Sequence, residues 1–252
     1  MRLVDGANAI RGDLPGSSTV VVDVPLEAGD EIGSGVARCG SLITVRDRMR
    51  VALKTAPKPV ITIGGDCGVE LAAIERAADE TTAVVWFDSH PDLNTPETSP
   101  SGAFHGMVLR TLLGEGVEHL APERTLDPRR LVLAGARAFD SAEREYIDDM
   151  SVACLDPASL NPQALVEQVK ATGATSVYVH IDLDVLDPAE FAGLVFPEPF
   201  GITSALLIEC VRALRAEFTL AGAGLTEFAP ASEAAAADDL PTILRIIAAL
   251  TR

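Results

Sequence analysis

Cysteine is scarce in this sequence. Four residues, Cys39, Cys67, Cys154 and Cys210, are spread over 252 positions, and none forms a CxxC pair. A chain this long and this poor in cysteine is not a disulfide scaffold. Aromatic residues are also few, at 4%, so Ala, Val and Leu must fill most of any core. Basic residues are outnumbered: 20 Lys and Arg face 37 Asp and Glu, for a formal net charge of −17. Nucleic acid and anionic membrane surfaces need a basic footprint, so both are disfavoured as partners. A small cationic ligand is compatible with this charge. No apolar run reaches the roughly 18 residues of a membrane span. The opening stretch "MRLVDGANAIRGDLPG" lacks the basic-then-apolar layout of a signal peptide. The expectation is a soluble, cytoplasmic protein.

What is present is a large supply of core. Hydrophobic residues make up 48% of the chain. Short apolar runs read as strands: "STVVVDVP", "PVITIGGD", "TAVVWFD", "RLVLAGA", "SVACLD", "TSVYVHIDLDV" and "TLAGAGLTEF". Between them lie stretches of helical period: "VELAAIERAAD", "FHGMVLRTLLGEG", "SAEREYIDDM", "PASLNPQALVEQVKATG" and "ITSALLIECVRALRAE". The chain closes on an apolar stripe in "DLPTILRIIAALTR" that suits a core position or a subunit contact equally. Strands alternating with helices predict an α/β fold with a parallel sheet covered on both faces. No repeat or long linker interrupts the pattern, so residues 1–252 are expected to form a single domain.

Ligands in such sheets bind beyond the carboxyl ends of the strands. Four strand ends carry polar groups. "PVITIGGDCGVE" ends at Cys67, "TAVVWFDSHPD" at Asp88, His90 and Asp92, "SVYVHIDLDVLDP" at His180, Asp182 and Asp184, and "GLTEFAP" at Glu227. Along "YVHIDLDV" the strand period sets His180, Asp182 and Asp184 on one face. Carboxylates crowded on a buried strand either bind protons or are neutralised by cations. Asp88, Asp92, Asp182 and Asp184 carry four negative charges, which two divalent ions would balance. Carboxylate with imidazole suits Mn²⁺ and similar ions, whereas an all-oxygen Ca²⁺ cage would not use His90. Bland readings exist for each residue alone. A DxD at a strand end can be a solvated rim, His105 a loop histidine, and Glu227 a cap or ion-pair carboxylate. His119 reads as structural. Asp140 and Glu143 suit the first turn of a helix, where acids are favoured.

Together, "GGDCGVE", "WFDSHPDLNTPETSPSGAFHGM", "HIDLDVLDP" and "GLTEFAP" resemble the motifs of the arginase branch of the ureohydrolases, in order, from about Gly64 to Pro230. The resemblance implies a three-layer α/β/α sandwich with a mainly parallel sheet and two Mn²⁺ ions per chain. It implies that Asp88 and Asp182 bridge both ions, that Cys67 and Asp92 complete one and that His90 and Asp184 complete the other. Activated water would attack a guanidinium carbon and release an amine and urea, or a substituted urea. Glu227 would hold the guanidinium, His105 would act as acid, base or shuttle, and Asp92 could pass a proton to the leaving amine. Asn94, Ser101 and Asp140 match the positions that hold an α-amino-acid head group, which favours L-arginine or a close derivative over agmatine. The family often forms trimers or hexamers, so a homo-oligomer is a possible assembly.

The sequence also departs from the arginase pattern. Cys67 stands where arginases have histidine. It reads as a thiolate ligand, a weakly bound thiol or a small buried apolar residue. Ala103 replaces an asparagine, and His180 replaces a small residue and reads as a donor behind the ligands more readily than as a ligand. The opening strand–helix unit is short. Cysteine at position 67 and histidine before DxD are shared with hydrolases of Nω-hydroxy-L-arginine, which yield hydroxyurea and ornithine. That activity is one alternative. Another is a catalytically weak or silent homologue with a binding or regulatory role.

Overall fold

A computed structural model of the chain describes residues 2–251. Its centre is a sheet of six strands: β1 (Val60–Ile63), β2 (Thr82–Phe87), β3 (Leu131–Ala134), β4 (Ala153–Leu155), β5 (Ser176–Asp182) and β6 (Thr219–Thr226). Their spatial order is β1-β6-β5-β2-β3-β4, and every neighbouring pair is parallel. Parallel pairing places all six carboxyl ends on one rim.

Both sheet faces are covered, which explains the near-continuous apolar strands. On one face Val85, Phe87, Val177, Val179, Ile181 and Leu225 pack with residues of α6 (Pro162–Ala171), α7 (Ser204–Glu217) and α8 (Glu233–Thr251). Ile10 of α1 (Arg2–Gly12) joins them. On the other, Val84, Trp86, Leu133 and Tyr178 pack with α2 (Cys39–Thr55), α3 (Glu70–Ala77), α4 (Val108–Leu112) and α5 (Ser141–Met150). The helices begin where the sequence caps them. Asn161 accepts from Ala164 N–H with Pro162 at the first helical position of α6, and Thr203 accepts from Leu206 N–H at the start of α7. The result is the α/β sandwich that the alternating pattern predicts. Among the described residues no helix is long and apolar enough to cross a membrane.

One predicted strand is corrected. "STVVVDVP" joins no sheet; Val20, Val21 and Val24 are exposed by 73, 56 and 62%. Its β-branched residues fit a strand locally, but β1 ends the sheet and pairs only with β6. The helical stretch at 104–116 is shorter than its period suggests. It is a 3-10 turn at Phe104–Met107 followed by five residues of α4.

Candidate metal centre and active site

The rim order β1-β6-β5-β2 sets the four polar strand ends side by side. Asp88 lies just beyond β2, and Asp182 ends β5, the strand beside it. Cys67 opens a 3-10 turn that leads into α3, and Glu227 follows β6. Cys67, Asp88, Asp92, Asp182, Asp184 and Glu227 are all buried.

Two groups of donors form there. Cys67, Asp88, His180 and Asp182 each offer a ligand atom, all within 4.8 Å of one another. Asp88, His90 and Asp184 form the second group by the same measure. Asp88 belongs to both. Its Oδ1 lies 3.6 Å from His90 Nδ1, and its Oδ2 lies 3.8 Å from His180 Nε2. Asp184 Oδ2 lies 3.1 Å from His90 Nδ1. Cys67 Sγ lies 3.1 Å from Asp182 Oδ2 and 3.3 Å from Thr226 Oγ1. Backbone amides fix the carboxylates: His90 N–H donates to Asp88, Asp184 N–H to Asp182 and Ser89 N–H to Asp184, at 2.7, 2.8 and 3.0 Å.

Asp92 is in neither group. It is buried, and its Oδ2 finds no hydrogen-bond partner among the described residues. Glu227 Oε2 is likewise unpartnered. Glu227 Oε1 faces His105 Nδ1 at 4.0 Å, longer than a hydrogen bond. The head-group candidates divide. Asn94 Nδ2 donates to Asp140 Oδ2 at 2.8 Å, so these two meet. Ser101 is exposed, its hydroxyl accepts from Ala103 N–H at 3.2 Å, and no hydrogen bond among the described residues links it to Asn94 or Asp140.

The electrostatics follow from burial. Desolvation, then neighbouring carboxylates, push Asp182 well above the usual range. Asp92 and Asp184 are pushed upward for the same leading reasons. Glu227 is pushed to about 9 by burial and then by Asp66, Asp184 and Asp88. Burial raises the Cys67 thiol, and four carboxylates raise it further. Burial alone would lower His90, but its bonds to Asp184 and Asp88 prevail and raise it to about 11. Asp88 moves the other way. His180 and His90 outweigh its burial and hold it below the carboxylate range.

Several contributors escape sequence reasoning. Glu70 is fully buried behind the centre, where Tyr178 donates to its Oε2 at 2.6 Å. Glu143 accepts from Leu93 and Asp140 N–H and braces the loop after β2. Arg137 donates to the Asp184, Glu198 and Pro199 carbonyls, tying the loop at 193–201 to the rim. That loop presents Phe196, whose ring stacks on His105 at 5.2 Å. Only Glu143 carried a signal, as the third residue of an acid-started helix.

The family model described as "Arginase family" matches residues 19–249. The chain belongs to the arginase family. An Nω-hydroxy-L-arginine amidinohydrolase of Streptomyces lavendulae is 32% identical over 211 residues, covering 82% of this chain and 74% of the relative. Arginases of Staphylococcus aureus (strain MRSA252) and Bacillus subtilis (strain 168) are 32% and 33% identical, covering 53% and 57% of this chain. The match spans about half the length of each, 48% and 52%. Among solved structures, the arginase of Entamoeba histolytica in complex with L-ornithine superposes with a TM-score of 0.81 at 24% identity, covering 91% of this chain and 82% of that one. A Bacillus subtilis arginase gives 0.79 at 24% identity, covering 98% and 90%. These superpositions establish the arginase fold.

Arginase-family membership implies a binuclear metal centre, and the residues fit one. Buried carboxylates that resist ionisation alone, two orphaned carboxylate oxygens and two donor groups sharing Asp88 all suit divalent cations.

Proposed function

We infer that this arginase-family protein is a metal-dependent hydrolase of a guanidino compound, with L-arginine or a close derivative as the leading substrate. The observation that carries this reading is Asp88, shared by two donor groups beside Glu227 and His105. Two divalent ions, manganese by family resemblance, would supply the Lewis-acid chemistry that makes water a nucleophile near neutral pH. Cys67, Asp88 and Asp182 would hold one, and His90, Asp184 and Asp88 the other.

The chain's own residues supply the rest. The buried, unpartnered carboxylate of Glu227 accepts charged hydrogen bonds from a guanidinium, which also draws it into the ionised form. His105, 4.0 Å from Glu227, would move a proton to or from the departing amine. Asp92 can relay that proton. The Asn94–Asp140 pair offers an amide and a carboxylate to the head group, with Asp140 suited to an α-ammonium. Phe196 lies over His105 and gives a planar cation an aromatic face.

A second reading, hydrolysis of Nω-hydroxy-L-arginine to hydroxyurea and ornithine, is favoured by two observations. Cys67 sits inside a donor group, and the relative of that name covers 82% of the chain. The test is reconstitution with Mn²⁺, desalting, and a substrate screen. Ornithine release from arginine or Nω-hydroxy-L-arginine is expected, with the faster of the two deciding between readings. Two bound ions with no turnover of either compound or of agmatine would sink the hydrolase reading and leave a silent binding homologue.

A further inference from the structure

His180 is a fully buried histidine in the middle of a strand. Its ring stacks on Trp86, its cross-strand neighbour, with centroids 3.5 Å apart and planes 24° apart. Nδ1 points at Glu70 Oε1 across 3.7 Å, too far for a hydrogen bond, and neither atom has a hydrogen-bond partner among the described residues. Nε2 faces Cys67 Sγ at 3.7 Å and Asp88 Oδ2 at 3.8 Å. A packing role does not require an imidazole there, and a buried unpaired polar atom is costly. A cation among Nε2, Cys67 Sγ and the two carboxylates would give the ring a purpose, and Glu70 would then orient it from behind, as carboxylates orient metal-bound histidines.

We propose that His180 is a metal ligand, so that the inner ion sits in a pocket of Cys67 sulfur, His180 Nε2, Asp88 and Asp182. This deepens the hydrolase reading above and rests on it. The exchange is then reciprocal: a thiolate stands at position 67, and the imidazole comes from β5 instead. As the sulfur–metal bond forms, the Cys67 S–H bond breaks and its proton leaves to solvent. The two ions become chemically distinct. One sulfur, one nitrogen and two carboxylates suit Zn²⁺, Co²⁺ or Fe²⁺ ahead of Mn²⁺. The outer set of His90, Asp184 and Asp88 lacks sulfur and keeps the harder ion. Glu70, braced by Tyr178, is a positioning residue that never touches the metal.

The experiment is Co²⁺ loading of the full chain, read by metal analysis, near-ultraviolet absorption and proton NMR. A sulfur-to-cobalt charge-transfer band reports Cys67. Each cobalt-bound histidine gives one strongly shifted, exchangeable ring N–H, and the chain has only four histidines. The expected result is the band together with two shifted N–H signals, from His90 and His180. His180→Ala should lose one signal, and Cys67→Ser should lose the band while keeping the signals. In competition, Zn²⁺ should displace Mn²⁺ from the sulfur-containing site with at least about tenfold greater preference than from the other site, and Cys67→Ser should narrow that difference. Because His180→Ala removes a buried ring, Glu70→Gln is the gentler companion, expected to shift the same N–H signal without losing it. Two bound ions with a single shifted N–H would overturn the proposal and leave the hydrolase reading intact. Two bound ions without the charge-transfer band would do the same. Failure to bind any ion would remove both.

Discussion

Asp92 and Glu227 hold their backbones in the left-handed region, with φ of 53° and 64°. Neither is glycine, so each conformation costs on the order of 1–3 kcal/mol and persists only where neighbours impose it. The neighbours are visible. Glu227 N–H donates to Gly65 O at 2.7 Å, and Asp92 O accepts from Leu109 and Arg110 N–H at 3.1 and 3.3 Å. The strain thus falls on two candidate site carboxylates, both with an orphaned oxygen. Glu227→Gln keeps the shape and removes the charge. A hydrogen bond to a charged group is worth about 1.5–3 kcal/mol, so kcat/KM should fall about ten- to a hundredfold, mainly through KM. The metal-free melting temperature should hold or rise, because a buried ionisable group is gone. Steady-state kinetics and a thermal melt check both, and an unchanged KM would remove Glu227 from guanidinium binding. At this scale the sequence was informative where acids interrupt apolar strands, as at Asp88, Asp182 and Asp184. It named remote groups on one rim without showing which of them touch. His180 and Cys67 are 113 positions apart, and Glu70 is one unremarkable acid in a helical pattern.

Strand β6 is built around the layer beneath the centre. Its Gly222 and Gly224 are two residues apart and so share a face, and Gly224 is in register with His180. A Cβ at 224 would collide with the Glu70 carboxylate. A Cβ at 222 would press less hard, on the Tyr178 ring at 3.0 Å and on Ala77 Cβ at 3.2 Å. Overpacking a filled core costs about 1–3 kcal/mol, so Gly224→Ala should destabilise the protein by that order and by more than Gly222→Ala. Urea midpoints for the two variants measure the difference, and an equal or reversed order would show that α3 does not press Glu70 against β6. Most elements were legible from period alone: the strands from "PVITIGGD" onward, and Ser141–Met150 to the residue. Two failures have physical causes. "STVVVDVP" has strand propensity but does not pair with the open edge of β1, and propensity yields to tertiary context. Helix α2 went unread because it buries only Cys39, Met49 and Leu53 and carries β-branched Ile43, Thr44 and Val45 in its first half.

For the molecule as a whole, the acid excess is partly internal. Glu227 is pushed to about 9 and Glu143 to about 7, in both cases chiefly by burial. Asp92, Asp182 and Asp184 are also raised. In the unfolded chain these groups lose their protons near pH 4. Between about pH 5 and 9 the metal-free folded protein therefore binds more protons than the unfolded chain, and stability falls as pH rises. His90 adds to the same slope. Its pKa is raised to about 11, so its stabilisation is complete below about 6.5 and drains away as pH climbs toward 11. Asp88 does not oppose them, because its lowered pKa matters only as pH falls below the ordinary carboxylate range. Bound divalent ions remove the cause, since carboxylates facing a cation are already ionised. Each pKa unit is worth about 1.4 kcal/mol, and each kcal/mol moves the melting temperature by about 2–4 °C in a chain of this size. Calorimetry in chelator should therefore show a melting temperature at least about 5 °C lower at pH 9 than at pH 6. With metal restored, the pH 9 value should rise above the chelated one and the slope should flatten. A metal-free melting temperature that climbs over this range would mean that the buried acids ionise freely, and the need for cations at the carboxyl rim of the sheet would go with them.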